Sequence, residues 1–203
     1  MRARPIHFIL LAVGLLLAGC ARNERSAFRA ARRVVPDEWR HHVLLVVGRG
    51  DAANIRTWTF TFYNPTSASR AEAVRVEQGK VTDHRDAQRA VADDAWSFDP
   101  ELSKVKASEA LATARDYAQK NQIAFNQSTL MLRRASAGTA PAWVVEMRDG
   151  DTLKGYVKTK AEDGTFLAYQ PPEPELARAV REFFQGLFGG GPMPEDDPPP
   201  PPP

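Results

Sequence analysis

Histidines and carboxylates are the residues whose types could support metal or acid–base chemistry. His41 and His42 are adjacent, and neighbouring side chains of a strand point to opposite faces, so the two imidazoles cannot bind one ion together. His84 is isolated from that pair in the sequence. We therefore predict a surface or strand-edge role for these histidines, no metal site and no cofactor.

Four aspartates flank His84 or follow it: Asp83, Asp86, Asp93 and Asp94. A carboxylate pair could perform acid–base chemistry in a cleft, but this segment is more simply a solvated linker. The sequence contains no nucleophile elbow, phosphate-binding loop or HExxH motif. We predict no catalytic residues and a protein that is not an enzyme. A small hydrolase would require turnover that disappears when one polar residue is changed.

The single cysteine, Cys20, has the clearest chemical context. Arg2 and Arg4 precede an apolar run from Phe8 to Leu17 that is too short to cross a bilayer comfortably. The run ends in Leu-Ala-Gly-Cys at 17–20, which resembles the lipobox of bacterial lipoproteins. The alternative is an ordinary secretory signal whose cleavage site contains a cysteine by chance.

The lipobox resemblance implies that residues 1–19 are a signal peptide and that Cys20 is acylated, within a tether at 20–25. Each buried CH₂ contributes about 0.8 kcal/mol, so several acyl chains hold a protein at a membrane essentially permanently. Ala21 implies sorting to the outer membrane, where the protein would face the periplasm. Of the 27 Lys and Arg residues, Arg2 and Arg4 leave with the signal, so 25 remain against 25 Asp and Glu. This balance does not favour nucleic-acid binding.

The rest of the chain predicts an α+β fold with two units, each a helix followed by a three-stranded antiparallel sheet. Unit 1 covers 26–84, a linker covers 85–104, and unit 2 covers 105–170. The first helix, Ser26–Val35, is ended by Pro36; the second follows Ser108 as its N-cap and ends with Asn121 in the left-handed conformation. Strands are predicted at 42–47, 56–63, 72–77, 129–134, 142–148 and 152–160.

The clearest strand, Thr57–Phe62, alternates three threonines with three aromatic residues. This alternation predicts one buried face and one wet face. Thr57, Thr59 and Thr61 would line the wet face and are candidate binding residues. Trp58 and Trp143 are either core anchors or ligand-stacking residues, and the alternation favours the core.

Several residues recur at an offset of 85, which predicts a repeated architecture. The pairs are Leu45 with Leu130, Trp58 with Trp143, Phe60 with Val145, and Gly79 with Gly164. In the third strands an offset of 83 fits better, matching Val74 with Val157 and Val76 with Thr159. Each unit alone would bury little apolar surface, so we expect the two to pack together.

The second unit resembles a PepSY domain. The resemblance is carried by the helix from Ser108 to Gln119, the Trp-containing strand at 141–145, and the segments 156–159 and 162–167. The first unit matches more loosely, through 58–62 and 77–81. The resemblance implies a non-catalytic binding module; PepSY-like domains occur in propeptides of secreted metallopeptidases and in envelope proteins.

Residues 171–203 form a separate region. An apolar stripe at helical spacing includes Phe183 and Phe184, both candidate binding residues. Such a helix could dock on the domain, lie at a membrane interface or bind a partner. The terminal Pro198–Pro203 run predicts extended polyproline II.

The leading hypothesis is an envelope lipoprotein whose body binds a protein or peptide through a sheet face or a free strand edge. Inhibition of a secreted peptidase is a specific version of it. The alternative is a structural tether acting through the C-terminal helix and polyproline tail.

Overall fold

The computed structural model describes residues 24–87 and 93–172, which form one antiparallel sheet of eight strands with two α-helices. The antiparallel α+β prediction is therefore confirmed. In chain order, the elements are α1 (Glu24–Ala31), β1 (Val43–Asp51), β2 (Ile55–Tyr63), β3 (Ala71–Glu77), β4 (Lys80–Asp86), α2 (Ala107–Lys120), β5 (Gln127–Arg133), β6 (Ala142–Asp149), β7 (Thr152–Lys160) and β8 (Phe166–Gln170). Neither described helix is long and apolar enough to cross a bilayer.

The strand order is β4-β3-β2-β1-β5-β6-β7-β8, so the two halves of the sheet meet at the β1–β5 pair. Every other pair joins strands that are consecutive in the chain, which antiparallel hairpins allow. The first half comprises α1 and β1–β4; the second comprises α2 and β5–β8. The turns before β4 and β8 each contain a glycine with φ +76°, Gly79 and Gly164. A positive φ of this size favours glycine, which has no Cβ.

Two strands, β4 and β8, were not predicted from the sequence. β4 reaches into the predicted 85–104 linker, so that boundary is wrong. Its side chains alternate between exposed and half-buried, and this leaves little apolar periodicity to detect. The rest of the linker is also ordered: short 3₁₀ turns occupy 94–96 and 100–102, and Phe98 is buried and bridges to Val43.

The helix ends differ from the predicted ones. α1 ends at Ala31, before Pro36, and α2 begins at Ala107, with Lys106 and not Ser108 preceding it. The Ala107 amide donates to the Glu24 side chain (3.3 Å), so a contact between the two helices satisfies this first-turn amide in place of a local cap.

The end of α2 also differs from the prediction. Asn121 has φ −104°, and the left-handed conformation falls on Gln122 (φ +56°). The Asn121 side-chain amide instead donates to the Tyr117 carbonyl oxygen (2.8 Å), which satisfies one carbonyl of the last helical turn.

Both helices pack on one side of the sheet, which we call the first face. Phe28 of α1 lies 5.4 Å from Phe60 and 6.0 Å from Phe62, measured between ring centroids. Trp58 and Trp143 are only 3% and 1% exposed in the same core, which confirms that they are core residues.

The opposite side, the second face, does not match its prediction. Thr59 and Thr61 are only 7% and 5% exposed, so the expectation of a wet threonine face is wrong. Their cross-strand neighbours are mostly apolar: Thr59 lies opposite Val47, and Thr61 lies between Leu45 and Ala73. The second face therefore has an apolar cluster of its own, formed by Leu45, Val47, Ala71, Ala73, Ala87, Met131, Val144 and Tyr156.

The offset of 85 holds in β2 and β6, where Trp58 and Trp143 share the first face. It fails in β1 and β5: Leu45 lies on the second face and Leu130 on the first. The cause is a register irregularity in β1 between Val43 and Leu45, because one extra residue reverses every later side chain of a strand.

Candidate binding surfaces

The edge at β8 is the more apolar of the two outer strands. Phe166 is 42% and Leu167 47% exposed, and among the described elements β8 pairs only with β7. Tyr117 of α2 stacks on both Phe166 and Tyr169, with ring centroids 5.3 and 4.8 Å apart. The Tyr169 hydroxyl donates to the Lys154 carbonyl oxygen (2.7 Å). These contacts hold the strand in place while it presents apolar side chains at an edge.

The opposite edge, β4, is charged. Its sequence is Lys-Val-Thr-Asp-His-Arg-Asp; His84 is hydrogen-bonded to Glu72 (3.1 Å), and Arg85 forms an ion pair with Asp83 (3.3 Å). Charged side chains at an edge oppose the addition of another strand. The two ends of the sheet therefore differ in what they can bind.

A cavity of about 200 Å³, the arginine pocket, opens on the second face among β1–β4. It is lined by Arg49, Thr59, Ala73, Arg75, Asp83 and Arg85. Loss of surrounding water lowers the pKa of Arg49, and the neighbouring Arg75 cation lowers it further. Arg75 also pairs with Glu77 (2.5 Å). Three arginines and one aspartate line the pocket, and Arg75 and Arg85 are ion-paired with Glu77 and Asp83. Guanidinium groups are the side chains that best bind carboxylate and phosphate groups.

A buried carboxylate occupies the other half of the second face. Glu146 is 6% exposed and accepts a bond from Arg148 (3.3 Å). Burial raises the pKa of Glu146 despite the opposing effects of Arg148 and Arg49. Burial, assisted by the Glu146 charge, also raises the pKa of Tyr156 to about 12. Both shifts follow from the burial of these two groups, which disfavours their charged forms.

His42 lies beside Asp94 and Ser97, residue types that can form a catalytic relay. Here the Asp94 carboxylate is 2.6 Å and the Ser97 hydroxyl 3.5 Å from the same imidazole nitrogen, Nδ1. A relay needs the carboxylate and the hydroxyl on different nitrogens. The bond to His42 is the main cause of the lowered pKa of Asp94. This arrangement fastens the 94–97 segment to the start of β1.

His41, Asp99 and Glu101 place three potential metal ligands within 4.8 Å of one another. Each already has a protein partner. His41 bonds to Asp99 (3.0 Å), Asp99 accepts the Glu101 amide (2.9 Å), and Glu101 pairs with Arg32 (3.1 Å). The cluster closes a short turn, and its bonds account for its geometry without an ion.

The predicted binding residues are distributed over several regions. Thr57 is half-buried, whereas Thr59 and Thr61 are buried. Cys20, Phe183 and Phe184 lie outside the described residues.

Sequence reasoning missed the arginine pocket and the β8 edge. The alternation Leu45, Val47, Arg49 along one strand is the signal that could have revealed the first. The short run Phe166–Gln170, which follows the turn at Gly164, could have revealed the second. Comparisons of the chain with protein-family models, curated proteins and solved structures return no match.

Proposed function

We propose that this protein is a lipid-anchored protein of the bacterial envelope whose folded body is a non-catalytic peptide-binding module. An extended segment of a partner adds to the sheet at β8. The observation that carries this proposal is the exposure of Phe166 and Leu167 on an edge strand. In strand addition, main-chain hydrogen bonds supply affinity and alternate side chains supply specificity. The charged β4 edge lacks these features.

The proposal includes the interpretation of the folded body as two PepSY-like units. It is supported by the order of elements, because each half of the sheet contains one helix followed by four strands. The resemblance implies a specific version, in which the bound segment belongs to a secreted peptidase whose activity is modulated. A peptidase segment in extended conformation matches the geometry of strand addition.

The proposed anchor would lie close to the folded body. Cys20 precedes Glu24 by four residues, which span roughly 14 Å when fully extended. The start of α1 is attached to the segment before α2, because the Arg25 guanidinium donates to the Ser103 carbonyl oxygen (3.5 Å). In this proposal the protein lies on the periplasmic face of the outer membrane, with this end nearest the lipid.

Mass spectrometry of the mature protein tests the anchor. We expect a chain that begins at Cys20 and carries acyl groups, and a Cys20→Ser variant that stays uncleaved and unlipidated. Normal maturation of the variant would contradict the lipoprotein assignment.

Selection from a random peptide library on the purified full chain tests the β8 edge. We expect a Phe166→Lys/Leu167→Lys variant to bind the selected peptides at least tenfold more weakly. Covering a lysine charge with an apolar segment costs desolvation free energy, and charged side chains at an edge oppose strand pairing. Val34→Lys is the matched control, because Val34 is also 42% exposed and lies after α1, away from the edge.

Equal binding by both lysine variants would exclude the β8 edge. If binding instead disappeared only when residues 171–203 were removed, the C-terminal tether would be the better explanation.

A further inference from the structure

The second face is buried more deeply than the described elements explain. Val47 is 2% exposed, Met131 5% and Tyr156 2%, yet both described helices pack on the first face. Apolar side chains on a sheet face that is open to solvent keep part of their surface in water. Another segment is therefore needed over these residues.

We propose that residues 174–188 of this chain cover the second face as an amphipathic helix, with Phe183 and Phe184 toward its apolar cluster. This inference does not depend on the proposed function. The apolar stripe allows a helix that docks on the domain, lies at a membrane interface or binds a partner, and this proposal is the first of these. A free helix of this composition would expose two adjacent phenylalanines and a Leu-Phe pair, which is costly.

The point at which the described chain ends supports this occupant. β8 ends at Gln170, which lies opposite Tyr156 of the second-face cluster. The segment therefore starts beside the face that it would cover. A 15-residue helix is roughly 22 Å long at 1.5 Å per residue. The distance from β8 to β1 is four strand spacings, roughly 19 Å. The segment is thus long enough to reach the middle of the sheet.

Charge also agrees with this placement. Five basic residues on the second face outnumber its acidic residues Glu77, Asp83 and Glu146; they are Arg49, Arg75, Arg85, Arg148 and Lys158. The segment itself is balanced in charge, with Glu175 and Glu182 against Arg178 and Arg181, but Glu195, Asp196 and Asp197 follow it. A chain that crosses from β8 toward β1 would bring these last acidic residues near the arginine pocket. Opposite charges at such an interface favour one orientation.

Thiol labelling of two adjacent β5 residues tests the proposal in the full chain with Cys20→Ser. Met131→Cys places a thiol on the second face, and Leu132→Cys places one on the first, where Leu132 is 1% exposed. We expect both to react slowly with a maleimide. Adding Phe183→Glu/Phe184→Glu should accelerate labelling at 131 at least tenfold and leave 132 unchanged.

Unchanged protection at 131 would overturn the proposal. Protection that weakens on dilution would also overturn it, since a second copy would then be the cover. If both positions labelled faster, the charged variant would have unfolded the protein, and disulfide trapping decides. A Met131→Cys/Phe184→Cys pair should form an intramolecular disulfide in dilute solution, and the matched Leu132→Cys/Phe184→Cys pair should not. Equal trapping of both pairs, or of neither, contradicts the proposed placement.

Discussion

The two tryptophans at equivalent positions of the two halves have different surroundings. The Trp143 indole N–H donates to the Val105 carbonyl oxygen (3.1 Å). The Trp58 indole nitrogen is buried and has no hydrogen-bond partner among the described residues. Its ring lies over Gly48, where a Cβ would come within 2.6 Å of it. The two halves therefore share the position of a large ring but not its polar contact.

The helices extend the same contrast. α1 has eight residues and contributes Phe28 to a cluster with Phe60 and Phe62. α2 has fourteen and presents alanines, among them the fully buried Ala110 and Ala114. The helix of the first half contributes an aromatic ring to the core, whereas the longer helix of the second half contributes small alanine side chains. The same layer of the core can therefore be filled either by large side chains from the helix or by small ones, provided that the total side-chain volume is kept.

The largest difference in stability between the two halves is expected from changes in their helices, and Phe28 should have the greatest effect. Phe28→Ala should lower the free energy of unfolding by about 3–5 kcal/mol, because it leaves a cavity between α1 and the sheet. Ala114→Leu should cost about 1–3 kcal/mol for the opposite reason, overpacking. Urea denaturation measures both. A tolerated Phe28→Ala would show that α1 adds little to the first-half core.

A smaller difference is expected between the tryptophans. Trp143→Phe removes a buried hydrogen bond, whereas Trp58→Phe removes a donor that has no described partner. We expect Trp143→Phe to be more destabilising by about 1–2 kcal/mol in urea denaturation. Ser103 also donates to the Val105 carbonyl oxygen (2.9 Å), which limits the loss. Equal costs would mean that the Trp58 N–H is satisfied in solution.

The smallest effect compares Glu146 with Thr61, which the offset of 85 places at equivalent positions. The folded-state pKa of Glu146 is raised, so its ionisation opposes folding. Its contribution to stability therefore falls as pH rises above the ordinary value of 4.5 toward the raised folded value. The free energy of unfolding of the wild type, minus that of Glu146→Gln, should be higher at pH 4 than at pH 7.5. The free energy of unfolding of the wild type, minus that of Thr61→Val, should be the same at the two pH values.

Much of the fold was predictable because its strongest signals are local. The alternation in Thr57–Phe62 predicted β2 nearly to its ends, and Thr152–Lys160 was predicted with its exact bounds. β4 could not be found this way, because an edge strand with little burial on either side has no apolar period. The start of α2 escaped prediction because Glu24, 83 positions earlier, reaches its first amide.

The candidate surfaces were less predictable than the fold. Threonines in alternation favoured a wet face, but cross-strand neighbours decide burial, and Thr59 lies opposite Val47. The arginine pocket combines residues of all four strands β1–β4, so no single stretch of sequence contains it. The offset of 85 could not reveal the irregularity after Val43, since a single extra residue leaves the hydrophobic composition unchanged.

The meeting of the two halves at β1 has a consequence for how the chain is made. Among the described strands, β1 is synthesised first and lies in the centre of the sheet, yet its second neighbour, β5, follows about eighty residues later. Until then, its apolar edge is unprotected, which is a hazard for aggregation during synthesis or export. A fragment ending before β5 would offer that edge to its own copies. In such a fragment, β1 of one copy would pair antiparallel with β1 of another in place of β5, and a dimer would result.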